Sequence, residues 1–192
     1  GRLFIVLHTY GSHFCYRERY PREFAFFKPD IRDEAKAENR EDLINAYDNT
    51  ILYTDYILGE IADMLQQSGR TAAMMYTSDH GENIFDDDRN LFLHASPRPS
   101  WYELHVPLVV WLSNAYSVRH VAQAKALADN SKKEVETSRS VFHTLTGMAG
   151  ISMEASDMTA NLASPMYREK PRSYLTDHNT QTDAPFNTKC NN

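Results

Sequence analysis

Cysteine is scarce in this 192-residue chain. Cys15 and Cys190 are its only two and lie near opposite ends, so neither a disulfide framework nor a cysteine-rich zinc motif can be read from them, and they leave the redox compartment open. Long hydrophobic runs are missing as well. The longest, Leu3 to Leu7 and Val106 to Leu112, fall far short of the roughly 18 to 20 apolar residues that a bilayer-spanning helix needs, so no span lies within the chain. Basic runs stop at Lys132-Lys133, and 20 Lys and Arg against 26 Asp and Glu leave a formal charge of −6. A phosphate backbone has little here to attract it, and nucleic acid is not an expected partner. Internal repeats and low-complexity tracts are also absent.

What is present suits a globular fold, with 42% hydrophobic and 24% charged residues. A domain of about 150 residues buries roughly 70% of the surface its unfolded chain exposes. Neither disulfides nor a structural metal is needed to hold such a core, so a metal found here would serve chemistry.

Leu3-Phe4-Ile5-Val6-Leu7 is a continuous apolar run rich in β-formers, which predicts a strand covered on both faces in a parallel sheet. A buried strand beginning this early predicts that the parent protein has sequence before Gly1, so the lack of a signal peptide or anchor says nothing about that protein. A polar and aromatic loop follows from Thr9 to Asp30, punctuated by Pro21 and Pro29. From Glu38 to Gln67 there is no Pro and one Gly, and Leu43, Ala46, Tyr47, Thr50, Ile51, Thr54, Ile57, Leu58, Ile61 and Leu65 recur at helical spacing. Ser68-Gly69 should close this helix.

A second strand is expected over Thr71 to Thr77, ending at Ser78-Asp79-His80-Gly81-Glu82. Asn83 to Glu103 reads as a surface excursion, and Val106 to Leu112 as a third buried strand. Helical patterns over Val118 to Ala128 and Ser138 to Ala149, the latter stopped at Gly150, come next. Ser152 to Asn192 is mostly loop, with a late strand over Ser173 to Thr176. The alternation predicts an α/β fold, with a mainly parallel sheet flanked by helices.

Three histidines stand beside the expected strand ends or in the loops after them: His13, His80 and His94. Asp79 and Glu82 flank the middle one. Charged residues where a buried strand gives out lie where open α/β sheets build their sites, and imidazole with carboxylate suits zinc and similar divalent ions. An isolated Asp-His-Gly is more often a turn in which Asp caps a helix, and a lone His13 or His94 more often a surface or core residue. Four such features in order along one chain point instead to a hydrolytic metal site.

The residues also carry a resemblance. His8-Thr9-Tyr10-Gly11-Ser12-His13, followed by Tyr16 and Arg19-Tyr20-Pro21, resembles the Gly-Ser-His block of the phosphoethanolamine transferases that modify lipid A, in the alkaline phosphatase/sulfatase superfamily. Tyr47-Asp48-Asn49-Thr50 and Tyr53-Thr54-Asp55 are similar to that family's helix, Ser78 to Glu82 to its metal motif, Leu93-His94 to its downstream histidine, and His105-Val106-Pro107 to the strand that follows. The likeness covers roughly residues 3 to 150.

The resemblance implies an alkaline phosphatase-like fold of which this chain is an incomplete part, residues 1–150 being the C-terminal part of the catalytic domain and 151–192 a loop-rich extension of it. It implies zinc, held by Asp79 and His80, with His13 and His94 as catalytic residues that face the substrate phosphate or a second metal, either of them able to protonate the leaving oxygen, and Glu82 orienting a ligand or contacting substrate. His8 and His105 are expected to pack or hydrogen-bond rather than ligate, and Tyr47, Tyr53 and Tyr56 to be helix-core aromatics.

It further implies a phosphatidylethanolamine donor, a lipid A acceptor, and a parent protein tethered by N-terminal membrane helices at the periplasmic face of the bacterial inner membrane. The family's threonine nucleophile and an acidic zinc ligand lie upstream of anything present, and Thr9, Thr50, Thr54 and Thr77 do not match that motif. The chain alone is therefore expected to be inactive. A sulfate- or phosphonate-ester hydrolase of the same superfamily, and a non-catalytic domain that binds a metal or a partner, remain open alternatives.

Overall fold

The computed structural model describes residues 1–175 and 181–183. Its elements, in chain order, are helix α1 (Arg40–Gln67), strand β1 (Ala73–Thr77), the two-residue strands β2 (Asn83–Ile84) and β3 (Phe92–Leu93), the short helix α2 (Trp101–Leu104), strand β4 (Leu108–Leu112), helices α3 (Asn114–Arg119), α4 (Val121–Asn130) and α5 (Thr137–Met148), and strands β5 (Ser173–Leu175) and β6 (Gln181–Asp183). They fall into two compact units, Gly1–Ile61 with Glu82–His94, and Ala62–Gly81 with the described residues from Ala95 onward. No helix among the described residues is long and apolar enough to cross a membrane. Cys190 and Thr176 lie outside the described residues.

The first unit is built on α1, whose apolar positions at three- and four-residue spacing bury Leu43 and Ala46 against Tyr16, Tyr20 and Ile84. Phe14, Phe24, Tyr47, Tyr53, Phe85 and Phe92 pack around them, so this core is largely aromatic. The loop before α1 is held by polar side chains that the helix buries. Asn49 accepts from the backbone N–H groups of Phe26 and Phe27 at 2.9 and 2.8 Å and donates to the Phe27 carbonyl at 3.0 Å. Seven residues earlier on the helix, Asp42 accepts from the N–H groups of Ile31 and Arg32 and from the Arg32 guanidinium, the closest contact being 2.7 Å. Buried backbone donors must be satisfied, and here two side chains of one helix do it for a stretch without regular structure. The Thr50 and Ser12 hydroxyls meet at 2.6 Å, tying the Gly-Ser-His segment to the same helix.

In the second unit, β1 and β4 form an antiparallel pair with Ala73 opposite Leu112 and Thr77 opposite Leu108. Met75, Leu108, Val110 and Leu112 pack against a core of Tyr116, Leu127, Met148, Leu162, Ala163 and Tyr167. Ser113 joins β4 to α3: its hydroxyl accepts from the N–H of Tyr116 as a helix cap and donates to the Arg70 carbonyl. Residues 151–172 hold no helix or strand, yet Ala160, Leu162, Ala163 and Tyr167 are buried there. Asn130 anchors the segment through bonds to the carbonyls of Leu162 and Ser164, at 2.8 and 2.9 Å.

Several expectations are corrected. Leu3–Leu7 forms no strand, and its side chains are 63–81% exposed. A strand exists through its ladder of hydrogen bonds, and among the described residues nothing supplies one to this run. The sheet is not mainly parallel, because all three described pairs are antiparallel. A continuous apolar run reports that both faces are covered but carries no information on direction, and the only helix in the β1-to-β4 connection is the four-residue α2, too short for a packed crossover. β1 and β4 are also only partly buried.

The excursion after Glu82 is not wholly superficial, since Asn83, Ile84, Ser100 and Glu103 are buried within it. The pattern over Val118 to Ala128 is two helices, broken at His120. By contrast, α1 stops where Gly69 takes φ +65°, α5 stops before Gly150 at φ +67°, and β5 forms at the expected late strand.

Candidate metal centre

β1 ends at Thr77, and the chain turns through Ser78, Asp79 and His80. The Ser78 hydroxyl donates to the His80 carbonyl at 2.7 Å, and Asp79 Oδ1 accepts from the His80 N–H at 3.1 Å, which fixes the turn from within. Its far side is fixed by Gly81, whose N–H donates to the Glu103 carbonyl at 2.8 Å. A β-carbon on Gly81 would lie 2.0 Å from the carbonyl oxygen of Tyr102, so only glycine fits. The carbonyls that crowd it belong to α2, held by a capping box in which Ser100 and Glu103 satisfy one another's backbone N–H groups. The loop after the strand is thus made rigid by a helix twenty residues away.

On this turn His80 places Nδ1 3.0 Å from the Gly81 carbonyl. A carbonyl only accepts, so Nδ1 carries a proton. Nε2 lies 3.8 Å from Asp79 Oδ2, and the Asp79 side chain is 88% exposed. Two ligands bonded to one tetrahedral zinc at about 2.0–2.2 Å stand about 3.4 Å apart. A small rotation of the exposed carboxylate closes the difference, so the pair suits a divalent ion.

In the first unit, His94 Nδ1 donates to Glu82 Oε1 at 3.0 Å. Glu82 is buried, and its other oxygen, Oε2, accepts from the Tyr16 hydroxyl at 3.5 Å. Burial, and then the charge of Glu82, push the Tyr16 phenol far above the ordinary range, so its hydroxyl remains a donor. The residues on either side of His94, Leu93 and Ala95, both take φ +66°. Side chains other than glycine seldom adopt that conformation, and it persists only where the surroundings impose it.

His13 follows a turn in which its N–H bonds the Tyr10 carbonyl at 3.0 Å. Its Nδ1 donates to the Phe14 carbonyl at 2.9 Å, and its ring stands edge-on to Tyr10. All three candidate histidines thus commit Nδ1 to an oxygen acceptor. The structure pairs Asp79 with His80 and Glu82 with His94, while the hydrogen bonds of His13 go to its own turn. For Tyr16 the sequence offers no signal beyond its place in the tyrosine-rich stretch after His13. The approach of Gly81 to Tyr102 had no sequence signal beyond the glycine itself. His105 stacks on Trp101. Tyr47 packs against Tyr16, and Tyr53 and Tyr56 against Phe24.

The profile describing sulfatases matches residues 1–151. The chain belongs to the sulfatase family. Among characterised relatives of this sulfatase-family chain, phosphoethanolamine transferase EptA of Salmonella typhimurium is 36% identical over 154 residues, covering 77% of this chain and 28% of the relative. The Kdo(2)-lipid A phosphoethanolamine 7''-transferase of Escherichia coli is 36% identical over 137 residues, covering 69% and 23%. Two solved structures share the fold at useful identity. The C-terminal periplasmic domain of phosphoethanolamine transferase EptC from Campylobacter jejuni superposes with a TM-score of 0.71 at 30% identity, covering 84% of this chain and 51% of that one. The soluble domain of lipooligosaccharide phosphoethanolamine transferase A from Neisseria meningitidis gives 0.73 at 28%, covering 81% and 48%.

The sulfatase-family chain therefore spans about a quarter of its curated relatives and about half of the solved domains. The α/β class read from the alternation of elements stands, as does the alkaline phosphatase-like fold implied by the resemblance, with the strand pairing corrected above.

Proposed function

We propose that the parent protein of this chain is a zinc-dependent transferase that moves phosphoethanolamine from phosphatidylethanolamine to lipid A. The observation that carries the reading is the hydrogen-bonded Glu82–His94 pair, following directly in sequence on the Asp79–His80 turn, in a chain 36% identical to a phosphoethanolamine transferase. Residues 1–150 form the C-terminal part of its catalytic domain, and 151–192 extend it.

Asp79 and His80 would hold the zinc, and their exposed carboxylate and imidazole fit that role. Zinc, when bound, supplies positive charge that activates a hydroxyl nucleophile and balances charge on the phosphoryl oxygens. The nucleophile would be the threonine that the family resemblance implies upstream of this chain. Its oxygen forms a bond to phosphorus while the bond to the diacylglycerol oxygen breaks, leaving a covalent phosphoethanolamine–threonine that a lipid A phosphate oxygen then attacks. His94, acting as an imidazolium whose Nδ1–H Glu82 holds in line, gives its Nε2 proton to the leaving diacylglycerol oxygen, and the proton lost by the threonine hydroxyl balances it. His13 contacts the nonbridging oxygens of the substrate phosphate.

Both lipids and the names of the solved relatives support a location at the periplasmic face of the inner membrane. One such relative, 29% identical, is an integral membrane protein, lipooligosaccharide phosphoethanolamine transferase A from Neisseria meningitidis. N-terminal helices of the parent protein would provide the anchor.

The test uses the full-length protein in vesicles containing lipid A and a fluorescent phosphatidylethanolamine. Transfer of the headgroup is expected, with His94→Ala slower by roughly 10²- to 10⁴-fold and the 192-residue chain alone inactive. Hydrolysis of sulfate or phosphonate esters without transfer would identify a hydrolase of the same family instead. Metal binding with no turnover of any ester would leave only a binding domain.

A further inference from the structure

We propose that Tyr16 is a positioning residue, whose hydroxyl fixes the Glu82 carboxylate so that Glu82 in turn fixes the ring of His94. The kinetic consequence rests on the transferase reading of His94; the geometry does not.

Glu82 is buried, and each of its oxygens meets a different donor: Oε1 receives His94 Nδ1 at 3.0 Å and Oε2 receives the Tyr16 hydroxyl at 3.5 Å. A carboxylate bonded through one oxygen can swing about its terminal torsion, which is broad. A donor on each oxygen sets its plane, and with it the direction in which Oε1 presents itself to the imidazole. Tyr16 can act as the fixed point because its own ring has little freedom. It is 1% exposed, and edge contacts from Phe14 at 5.5 Å and Tyr47 at 5.2 Å hold it on two sides. Its phenol also stays protonated wherever the protein is folded, since burial and the facing carboxylate both oppose ionisation.

The left-handed conformations of Leu93 and Ala95 fit the same purpose. A histidine flanked by two such residues has its backbone direction imposed, and the Tyr16–Glu82 contact adds control of the side chain. Aim matters here because His94 must meet a substrate oxygen, and small misplacements of a catalytic group are costly.

The competing role for Tyr16 is simple packing in the aromatic core. Tyr16→Phe separates the two roles, because it keeps the ring and removes the oxygen. Two measurements on the full-length protein decide. In ¹⁵N-histidine spectra, the His94 Nδ1 proton should exchange with solvent roughly tenfold faster in Tyr16→Phe, the loss of about one hydrogen bond. An unchanged exchange rate overturns the proposal, and this readout holds even if the protein transfers no phosphoethanolamine.

In the transfer assay, Tyr16→Phe should lower kcat by about tenfold with KM unchanged, and should add nothing in a His94→Ala background. Equal losses in both backgrounds would overturn the proposal, because independent effects multiply. Failure of the wild-type protein to transfer would instead remove the transferase reading and leave the exchange measurement to judge Tyr16.

Discussion

Gly81 and Tyr102 are in such close approach that a β-carbon on the glycine would come to rest 2.0 Å from the tyrosine carbonyl oxygen. The oxygen is backbone, so relief requires moving α2 or moving the turn that carries Asp79 and His80. Gly81→Ala is expected to destabilise the chain by about 1–3 kcal/mol, as overpacking does, and to weaken zinc binding more than thermal stability alone would explain. Calorimetric titration at a temperature where the variant remains folded would show it, and wild-type zinc affinity would mean that the turn tolerates the shift.

Zinc itself provides a second test. The 192-residue chain should bind it weakly, since two protein ligands fall short of the three or four that zinc sites use. Asp79→Ala should reduce that affinity by at least about tenfold. Equal affinity in the two titrations would remove Asp79 from the ligand set.

Asn49 secures the Phe26–Phe27 backbone from within α1. Asn49→Ala leaves two amide donors without their acceptor, and a loss of about 2–4 kcal/mol is expected. The shift in urea midpoint measures it. A change below half a kilocalorie would mean that water replaces the side chain at no cost.

Acid should undo the same region. Hydrogen bonds from the Arg32 guanidinium, and then from its N–H, hold the Asp42 carboxyl below the ordinary carboxylate range. Asp30 is lowered as well: burial would raise it, but bonds from Lys28 and Tyr20, with the charge of Arg17, outweigh that. A carboxyl depressed in the folded state contributes its stability in full above the unfolded value of about 4, and loses it as pH falls through the lower folded value. Stability should therefore be flat near neutrality and decline below about pH 4. Asp42→Asn should flatten that decline, and unfolding curves at stepped pH would expose an unaltered slope.

Much of this molecule was legible from spacing. The period of α1, its stop at Gly69 and the two longer strands follow from apolar pattern and glycine placement. Strand direction was not legible, because Ala73–Thr77 and Leu108–Leu112 read the same in either orientation and only their pairing across α2 decides. The run Leu3–Leu7 misled for a related reason: its composition favours a strand, but a strand also needs a partner. At the candidate site, Asp79, His80, Glu82, His94 and His13 stood out because their chemistry is unusual beside strand ends. The second layer was hidden, since Tyr16 reaches Glu82 across 66 positions of sequence and Tyr102 crowds Gly81 through its backbone, which no residue type announces.

Leu93 and Ala95 set a limit on improving this protein by selection for heat tolerance. A left-handed non-glycine residue costs on the order of 1–3 kcal/mol, whereas glycine there adds only about 0.5–1 kcal/mol of unfolded-state entropy. Glycine at either position is thus an easy route to a hardier variant. Each such gain would loosen the backbone on which His94 rides, so a population drifting toward stability would lose aim at a histidine whose ring the buried Glu82 carboxylate holds.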